Sequence, residues 1–216
     1  MSSASGSLGW TWKGHLAYYD YQTKTEKQFK KVPKLKGELD KEEIVRVYKC
    51  FHPMAITLDK AFHEYVIFRA KKNGTVFFHS IEKNSEEIVW QRSKDSKDVL
   101  YRLKNVARPS GKVSEKSDVE GDIHDLIDWL ENESQITRKY NVLYDNCQHF
   151  AASVYGAVNQ FKAEGMPEDI MAHPELSASD SDADMIDAFQ ILNDEITRSY
   201  HEYERRQKRG LAPVDH

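Results

Sequence analysis

Two runs of β-branched and aromatic residues, separated by a short turn, constrain the fold of this chain more than any other feature. Residues 64–70 are EYVIFRA and residues 75–81 are TVFFHSI. The turn between them contains Asn73-Gly74, a pair that readily adopts the positive φ angles of a two-residue hairpin. The sequence therefore predicts an antiparallel β-hairpin near the middle of the chain.

The segments around this hairpin indicate a larger sheet followed by helices. Residues 44–50, 88–90 and 99–106 are rich in β-branched and other apolar side chains and predict three more strands. The hydrophobic pattern then changes period, because apolar residues from 123 to 130 recur at i, i+3, i+4 and i+7, which predicts a helix beginning near Asp122. Strands first and helices later predict an α+β fold with an antiparallel sheet.

Changes in composition divide the chain into three predicted regions. Residues 1–42 combine a small polar start, an aromatic stretch and a Lys-rich stretch, and predict a flexible extension whose aromatic part is either a strand or a docking arm. Residues 43–165 hold the predicted domain. Residues 166–216 contain an acidic linker and a helix with heptad-like apolar spacing, which makes that helix a candidate to bind a protein partner.

Charge and cysteine content restrict the class of protein. The 31 Lys and Arg residues are outnumbered by 35 Asp and Glu residues, which argues against a general nucleic-acid binder. The chain has two cysteines, no apolar signal segment and no apolar run long enough to span a membrane. We therefore expect a cytoplasmic protein with free thiols and no transmembrane segment; peripheral contact with a membrane stays open.

Cys147 stands at the predicted start of a helix. Asn146 is a favoured N-cap residue, and apolar side chains repeat at helical spacing from Phe150 onward. A thiol in a first helical turn faces backbone N–H groups and the positive end of the helix dipole, both of which stabilise its thiolate. The same N–H groups suit the oxyanion of a tetrahedral intermediate. The position therefore predicts a nucleophilic cysteine suited to acyl transfer.

A nucleophilic cysteine needs a base, because a lone cysteine among apolar residues is more often a small buried hydrophobe. His149 lies two positions along the same helix and points away from the thiol, so we expect it to be a structural hydrogen-bonding residue. His63 begins the first strand of the predicted hairpin and His79 lies near the end of the second. We expect these two histidines to meet near the open end of the hairpin and to share one site with Cys147.

The two histidines also raise the possibility of a metal site, since histidines on neighbouring strands are common zinc ligands. No Asp, Glu or Cys at a ligand spacing completes a set with His63 and His79. The sequence therefore predicts no metal and no other cofactor.

The segment Asn-Cys-Gln-His-Phe at 146–150 resembles the Asn-Cys-Glu-His-Phe signature of the lecithin:retinol acyltransferase-like (LRAT-like) family, which includes the phospholipase/acyltransferases of the H-Ras-like suppressor group. With the histidines in FHEYVIF and VFFHS, the resemblance covers roughly residues 45–160. It implies a circularly permuted papain-like fold with a catalytic set of a strand histidine, a second histidine across the hairpin and a later helix-start cysteine. The matching residues are His63, His79 and Cys147.

Three functions follow as expectations. The resemblance implies a cysteine-dependent acyltransferase or phospholipase-like hydrolase: Cys147 attacks an ester of a lipid, His63 accepts and returns the proton, and His79 orients or polarises His63. The alternative is a thiol peptidase or isopeptidase acting on a peptide or ubiquitin-like substrate, because the PPPDE group also uses an early histidine and a late Asn-Cys segment. A catalytically retired module that binds a partner is the third expectation.

Overall fold

A seven-stranded sheet forms the centre of the protein. The computed structural model describes residues 11–53, 62–100, 112–141 and 145–161. The strands are β1 (Leu16–Asp20), β2 (Thr25–Phe29), β3 (Glu43–Pro53), β4 (Phe62–Lys72), β5 (Thr75–Lys83), β6 (Ile88–Ser93) and β7 (Lys112–Asp122). The helices are a 3-10 helix (Val32–Gly37), α1 (Ser96–Leu100), α2 (Ile123–Asn132) and α3 (Cys147–Gln160).

The strands lie in the order β2-β1-β6-β5-β4-β3-β7. All neighbouring pairs are antiparallel except β1 and β6, which are parallel. The prediction of an α+β fold with a largely antiparallel sheet is therefore confirmed.

The central hairpin forms where the sequence predicts it. The β4 and β5 strands pair antiparallel up to Lys72 and Thr75, and Asn73 and Gly74 adopt φ angles of 49° and 76°. These positive angles match the right-handed twist of the flanking strands. The predicted strand at 44–50 lies within β3, and the one at 88–90 within β6.

The prediction that residues 1–42 form a flexible extension is wrong for residues 11–42. They supply β1, β2 and the 3-10 helix, so the sheet crosses the predicted boundary at 42/43. The β2 strand has a charged, solvent-exposed middle and buries only Phe29 because it is an outer strand of the sheet. A charged outer strand resists pairing with other molecules, and its composition resembles that of a linker. The acidic linker and the helix predicted within 166–216 lie outside the described residues.

Two other expectations fail between β6 and α2. The strand predicted at 99–106 begins instead as the last turn of α1, whose Val99 and Leu100 are buried; residues 101–106 lie outside the described residues. Residues 112–122, for which the sequence predicts no strand, form β7 at the other outer position of the sheet. The residues of β7 are mostly exposed and charged, so they lack the apolar alternation that identifies inner strands.

Hydrophobic residues cover both faces of the sheet. On one face, α3 packs over the central strands, and residues of α2 and the 3-10 helix join the same cluster, which includes the fully buried Phe68 and Trp90. On the opposite face, a smaller cluster joins Tyr65 and Phe78 to α1. The α2 helix begins next to Asp122, as predicted. The Asp122 side chain caps it by accepting hydrogen bonds from the N–H groups of His124 and Asp125.

The direction of α3 is fixed by contacts at both of its ends. Its residues contact β3, β4, β5 and β7. Near its C-terminal end, Phe161 lies directly over Gly121 of β7, where a Cβ atom on the glycine would come within 2.8 Å of the Phe161 Cβ atom. This close approach lets the helix cross the sheet with its N-terminal end directed at β4.

We predict that two glycine-to-alanine substitutions will have opposite effects on stability. Gly121→Ala creates the 2.8 Å overlap and should lower the free energy of unfolding by about 1–3 kcal/mol. Gly156→Ala, in the interior of α3 with nothing within 4 Å of the new Cβ atom, should raise it by about 0.5–1 kcal/mol. Urea unfolding of both variants measures the two changes, and shifts in the same direction would contradict this packing.

Candidate active site

Cys147 occupies the first turn of α3, as predicted. The Asn146 side chain caps the helix by accepting hydrogen bonds from the N–H groups of Gln148 and His149, at 3.0 and 3.1 Å. The His149 ring is exposed and lies 2.8 Å from the same Asn146 oxygen, which agrees with a structural role. The thiol-bearing residue itself is only 4% exposed. The cap therefore holds Cys147 with its backbone at the positive end of the helix dipole.

The thiol approaches an edge of β4 that no strand among the described residues covers. β4 pairs with β3 as far as Phe62, but its pairing with β5 stops at Val66↔Ile81. The four positions of β4 before Val66 therefore have no strand partner from β5. The backbone N–H of Glu64 donates a hydrogen bond to the Cys147 sulfur there. A strand that ends its pairing early thereby provides a backbone donor for the candidate nucleophile.

His63 joins the thiol to a buried carboxylate. Its ring is hydrogen-bonded to Cys147, and its Nε2 atom lies 2.6 Å from Oε2 of Glu82. The Glu82 side chain is 1% exposed and that of His63 is 14% exposed. His52, opposite His63 on β3, places its ring 5.2 Å from the His63 ring. The structure thus brings together Cys147 and His63, and it adds Glu82, which the sequence analysis missed.

The protonation states of this cluster follow from its contacts. Burial by itself lowers the pKa of His63, but hydrogen bonds and charge from Cys147 and Glu82 outweigh it and raise the pKa to about 9. Burial by itself raises the pKa of Cys147, whereas the hydrogen bond and positive charge of His63 lower it, with help from the Glu64 N–H and Tyr140. The net pKa of Cys147 is lowered. Each group of the pair therefore favours the charged form of the other, a thiolate beside an imidazolium.

Tyr140 is a second residue of the site that the sequence analysis missed. Its hydroxyl group lies 4.0 Å from the Cys147 sulfur and donates toward it. Burial, together with the charge of Cys147, raises the pKa of Tyr140 to about 12, so the hydroxyl keeps its proton. Tyr140 lies only seven residues before Cys147 in the sequence, but nothing in its spacing there indicates that the chain turns back on itself.

A buried lysine holds the segment that carries Tyr140 and Cys147. Nζ of Lys83, whose side chain is fully buried, lies 2.6 Å from Oδ1 of Asp145 and 5.1 Å from the centre of the Trp12 ring. Asp145 and Asn141 exchange two backbone hydrogen bonds of 2.9 Å, which hold these two positions together. Lys83 directly follows Glu82. Of these two consecutive residues of β5, Glu82 contacts His63, and Lys83 contacts the segment that leads to Cys147.

The expectation that His79 shares this site is wrong. In the β4–β5 register His79 lies opposite Phe68, five residues along β4 from His63, or about 16 Å at the rise of a strand. Five is an odd number, so the two histidines also lie on opposite faces of the sheet. Pairs counted from the turn place position 84, and not 79, level with His63. Glu82, two residues from that position and on the same face, is the β5 residue whose side chain contacts His63.

Both ring nitrogens of His79 are used within the core. Nδ1 accepts a hydrogen bond of 3.0 Å from the Trp90 indole, which can only donate, so Nε2 carries the proton and donates to Glu42 at 2.9 Å. His79 and Glu42 are fully buried, and burial lowers the pKa of His79. Glu42 also accepts two hydrogen bonds from Arg92. His79 therefore belongs to a structural network that joins β5, β6 and the start of β3.

No group of three or more His, Cys, Asp or Glu side chains within the described part of the chain could hold a metal ion. No helix among the same residues is long and apolar enough to cross a membrane.

Comparison with known proteins gives no relative for this chain. No protein-family model, no curated protein and no solved structure matches it. The function of this protein is therefore inferred from the geometry of its candidate site.

We predict that the reactivity of Cys147 depends on Glu82 and not on His79. Glu82→Gln removes the charge that raises the pKa of His63, so the pKa of Cys147 should rise and its alkylation by iodoacetamide at pH 6 should slow. Each unit of thiol pKa gives tenfold less thiolate, partly offset by higher nucleophilicity, or about a threefold net loss of rate. Site-resolved mass spectrometry measures Cys147 and, as an internal reference, the fully buried Cys50.

His79→Gln is the matched control. It disturbs the contacts with Trp90 and Glu42, so the free energy of unfolding should fall by about 1–3 kcal/mol. The alkylation rate of Cys147 should stay within about twofold of the wild-type rate, because His79 lies five residues along the sheet from His63 and on the face opposite to it. A slower rate in His79→Gln but not in Glu82→Gln would overturn the assignment.

Proposed function

We propose that this protein is a cysteine-dependent acyltransferase or hydrolase that works through an acyl-cysteine intermediate, with Cys147 as the nucleophile, His63 as the general acid and base, and Glu82 as the residue that orients His63. The observation that carries the proposal is the His63 ring, which is hydrogen-bonded to both the thiol and a buried carboxylate. Nucleophile, base and orienting group in this order are the elements of a catalytic triad.

The first half of the reaction forms a thioester. The Cys147 thiolate attacks the carbonyl carbon of an ester or amide, and a C–S bond forms as the carbonyl π electrons move to oxygen. When the tetrahedral intermediate collapses, the bond to the leaving group breaks and the His63 imidazolium donates its proton to the departing oxygen or nitrogen. Since Nε2 of His63 contacts Glu82, we assign this proton to Nδ1. The carboxylate of Glu82 stabilises the positive charge of His63 until that transfer.

The oxyanion of the tetrahedral intermediate requires donors beside the sulfur. We assign this role to the backbone N–H of Cys147, at the N-terminal end of α3, and to the hydroxyl of Tyr140, 4.0 Å from the sulfur. The high pKa of Tyr140 keeps this hydroxyl protonated throughout the working pH range. Fixed donors at the site of developing charge lower the barrier without reorganisation.

The second half of the reaction regenerates the thiol. Neutral His63 removes a proton from water, an alcohol or an amine, which attacks the thioester carbonyl; collapse releases the acyl product and the Cys147 thiolate beside a protonated His63. Water as the acceptor gives a hydrolase, and an alcohol or amine gives an acyltransferase. The same chemistry at an amide is that of a thiol peptidase or isopeptidase, which remains the second candidate.

The resemblance to the LRAT-like family supports this proposal. The order of a strand histidine before a helix-start cysteine agrees with a circularly permuted papain-like domain spanning residues 43–165, although the sheet also includes β1 and β2. The site departs from the family pattern at its third member, where Glu82 takes the position that the resemblance assigned to His79. A carboxylate holds an imidazolium more strongly than a second imidazole does, which fits the raised pKa of His63.

We predict a bell-shaped pH profile for acyl transfer. On the acid side, kcat/KM should rise as Cys147 loses its proton, and on the alkaline side it should fall near pH 9 as His63 loses the proton that it gives to the leaving group. In Glu82→Gln the alkaline limb should move to lower pH, because the pKa of His63 falls. Activated esters of short acids, assayed from about pH 5 to pH 10, measure the profile.

Loss of the nucleophile tests the proposal directly. Cys147→Ala should form no acyl-enzyme detectable by mass spectrometry and should retain less than about a thousandth of the activity. His63→Ala should reduce kcat/KM by about 10²–10⁴-fold. Wild-type turnover in Cys147→Ala, or a wild-type thiol that no ester acylates, would contradict the proposal and favour a module that only binds a partner.

A further inference from the structure

Two hydrogen-bond donors lie buried in the turn after β5 without an acceptor. Asn84 is 6% exposed, and its Oδ1 atom accepts hydrogen bonds of 2.8 and 3.0 Å from the N–H groups of Glu86 and Glu87. These bonds fix the orientation of the amide and leave its Nδ2 atom as the free end. Neither this Nδ2 atom nor the buried Oγ atom of Ser85 has a hydrogen-bond partner in the described part of the chain.

Such donors are unusual in a folded protein. Nearly all buried polar side-chain atoms are hydrogen-bonded, because a donor that has lost water without gaining an acceptor destabilises the fold. Asn84 and Ser85 are adjacent in sequence, so the two orphaned donors share one small region. A ligand that brings acceptor oxygens to this region would satisfy both.

The turn adjoins the candidate active site. Asn84 comes two residues after Glu82, which contacts His63, and directly after Lys83, which contacts Asp145. When the β4–β5 register is continued past its last pair, Val66↔Ile81, position 84 comes level with His63. The two donors therefore lie at the same end of the sheet as the thiol, beyond the point where β5 leaves the edge of β4.

The two carboxylates of the turn already have partners. The Glu86 carboxylate lies 2.6 Å from Nζ of Lys13, and the Glu87 carboxylate lies 2.6 Å from Nε2 of His15. The two free donors belong to neutral side chains beside these carboxylates. Because two carboxylates in the same turn repel an anionic group, the turn suits a neutral acceptor, such as a carbonyl oxygen, better than an anion.

We propose that Asn84 and Ser85 bind a second carbonyl oxygen of the acyl group, beyond the one that Cys147 attacks, and that the substrate is therefore a peptide-like acyl group. This inference depends on the proposed acyl-transfer function. A hydrocarbon chain passing over the turn would leave both donors without an acceptor, and sites with buried hydrogen-bonding groups discriminate strongly against ligands that cannot pair with them. The donors thus favour an amide-containing acyl chain over a fatty acyl chain.

Two esters of the same length test this inference. The p-nitrophenyl ester of N-acetylglycine carries an amide carbonyl, whereas p-nitrophenyl pentanoate has an acyl chain of equal length without one. Each kcat/KM value is divided by the rate at which the same ester reacts with a small thiol in solution. This normalisation removes the difference in intrinsic reactivity between the two esters. With the wild-type protein, the normalised value should be at least about tenfold higher for the N-acetylglycine ester.

Two substitutions remove the donors. Asn84→Asp keeps the oxygen that Glu86 and Glu87 contact and replaces the free N–H group with a second carboxylate oxygen, and Ser85→Ala removes only the free hydroxyl. Each should lower kcat/KM for the N-acetylglycine ester by about five- to tenfold. Ser85→Ala, which adds no charge, should also leave the pentanoate value within about twofold. Ser117→Ala, at a half-buried serine in the middle of β7, is the matched control and should change the value for neither ester.

The outcomes separate this inference from the proposed function. Alkylation of Cys147 by iodoacetamide and the midpoint of urea unfolding should be unchanged in Ser85→Ala, since no native hydrogen bond is lost. If the esters acylate Cys147 of the wild type but both variants give the wild-type kcat/KM values, the inference of a peptide-like substrate is wrong and the proposed acyl transfer stands. The same conclusion follows if pentanoate is the better substrate of the wild type. If neither ester acylates wild-type Cys147, the proposed function and this inference both fail.

Discussion

The antiparallel pairing of β4 with β5 determines where each part of the candidate site lies. Its register brings Glu82 within hydrogen-bond distance of His63, and its early end at Val66↔Ile81 leaves the edge of β4 open to Cys147. The next residue, Lys83, contacts Asp145, two residues before Cys147. A shift of one residue in this register would move every side chain of β5 to the other face of the sheet and separate the carboxylate from the histidine.

Burial and charge act against each other throughout this site, and charge prevails. Desolvation opposes ionisation of both His63 and Cys147, and the contact between the two groups favours it. With Glu82 beside the imidazole, and with the Glu64 N–H and the Tyr140 hydroxyl beside the sulfur, the pKa of His63 is raised and that of Cys147 is lowered. The site therefore depends on having all of its members, which is typical of groups that act as one catalytic unit.

The two hairpin histidines show how environment separates residues of the same type. His63 lies at the open end of the hairpin with a thiol and a carboxylate as neighbours, and it gains a proton. His79 lies in the core between an indole donor and a carboxylate already paired with Arg92, and burial lowers its pKa. Their positions in the sequence made both histidines candidates for the site. Their hydrogen-bond partners place His63 beside the thiol and give His79 a structural role.

Local sequence signals determined the central hairpin, the capped starts of α2 and α3, and the candidacy of Cys147 and His63, because turn conformation, helix caps and hydrophobic period depend on neighbouring residues. Only the tertiary structure decided the rest. The outer strands β2 and β7 owe their pairing to neighbours in the sheet and not to apolar alternation. Glu82, Tyr140 and the displaced His79 depend on strand register and burial, which arise from contacts between residues far apart in the chain.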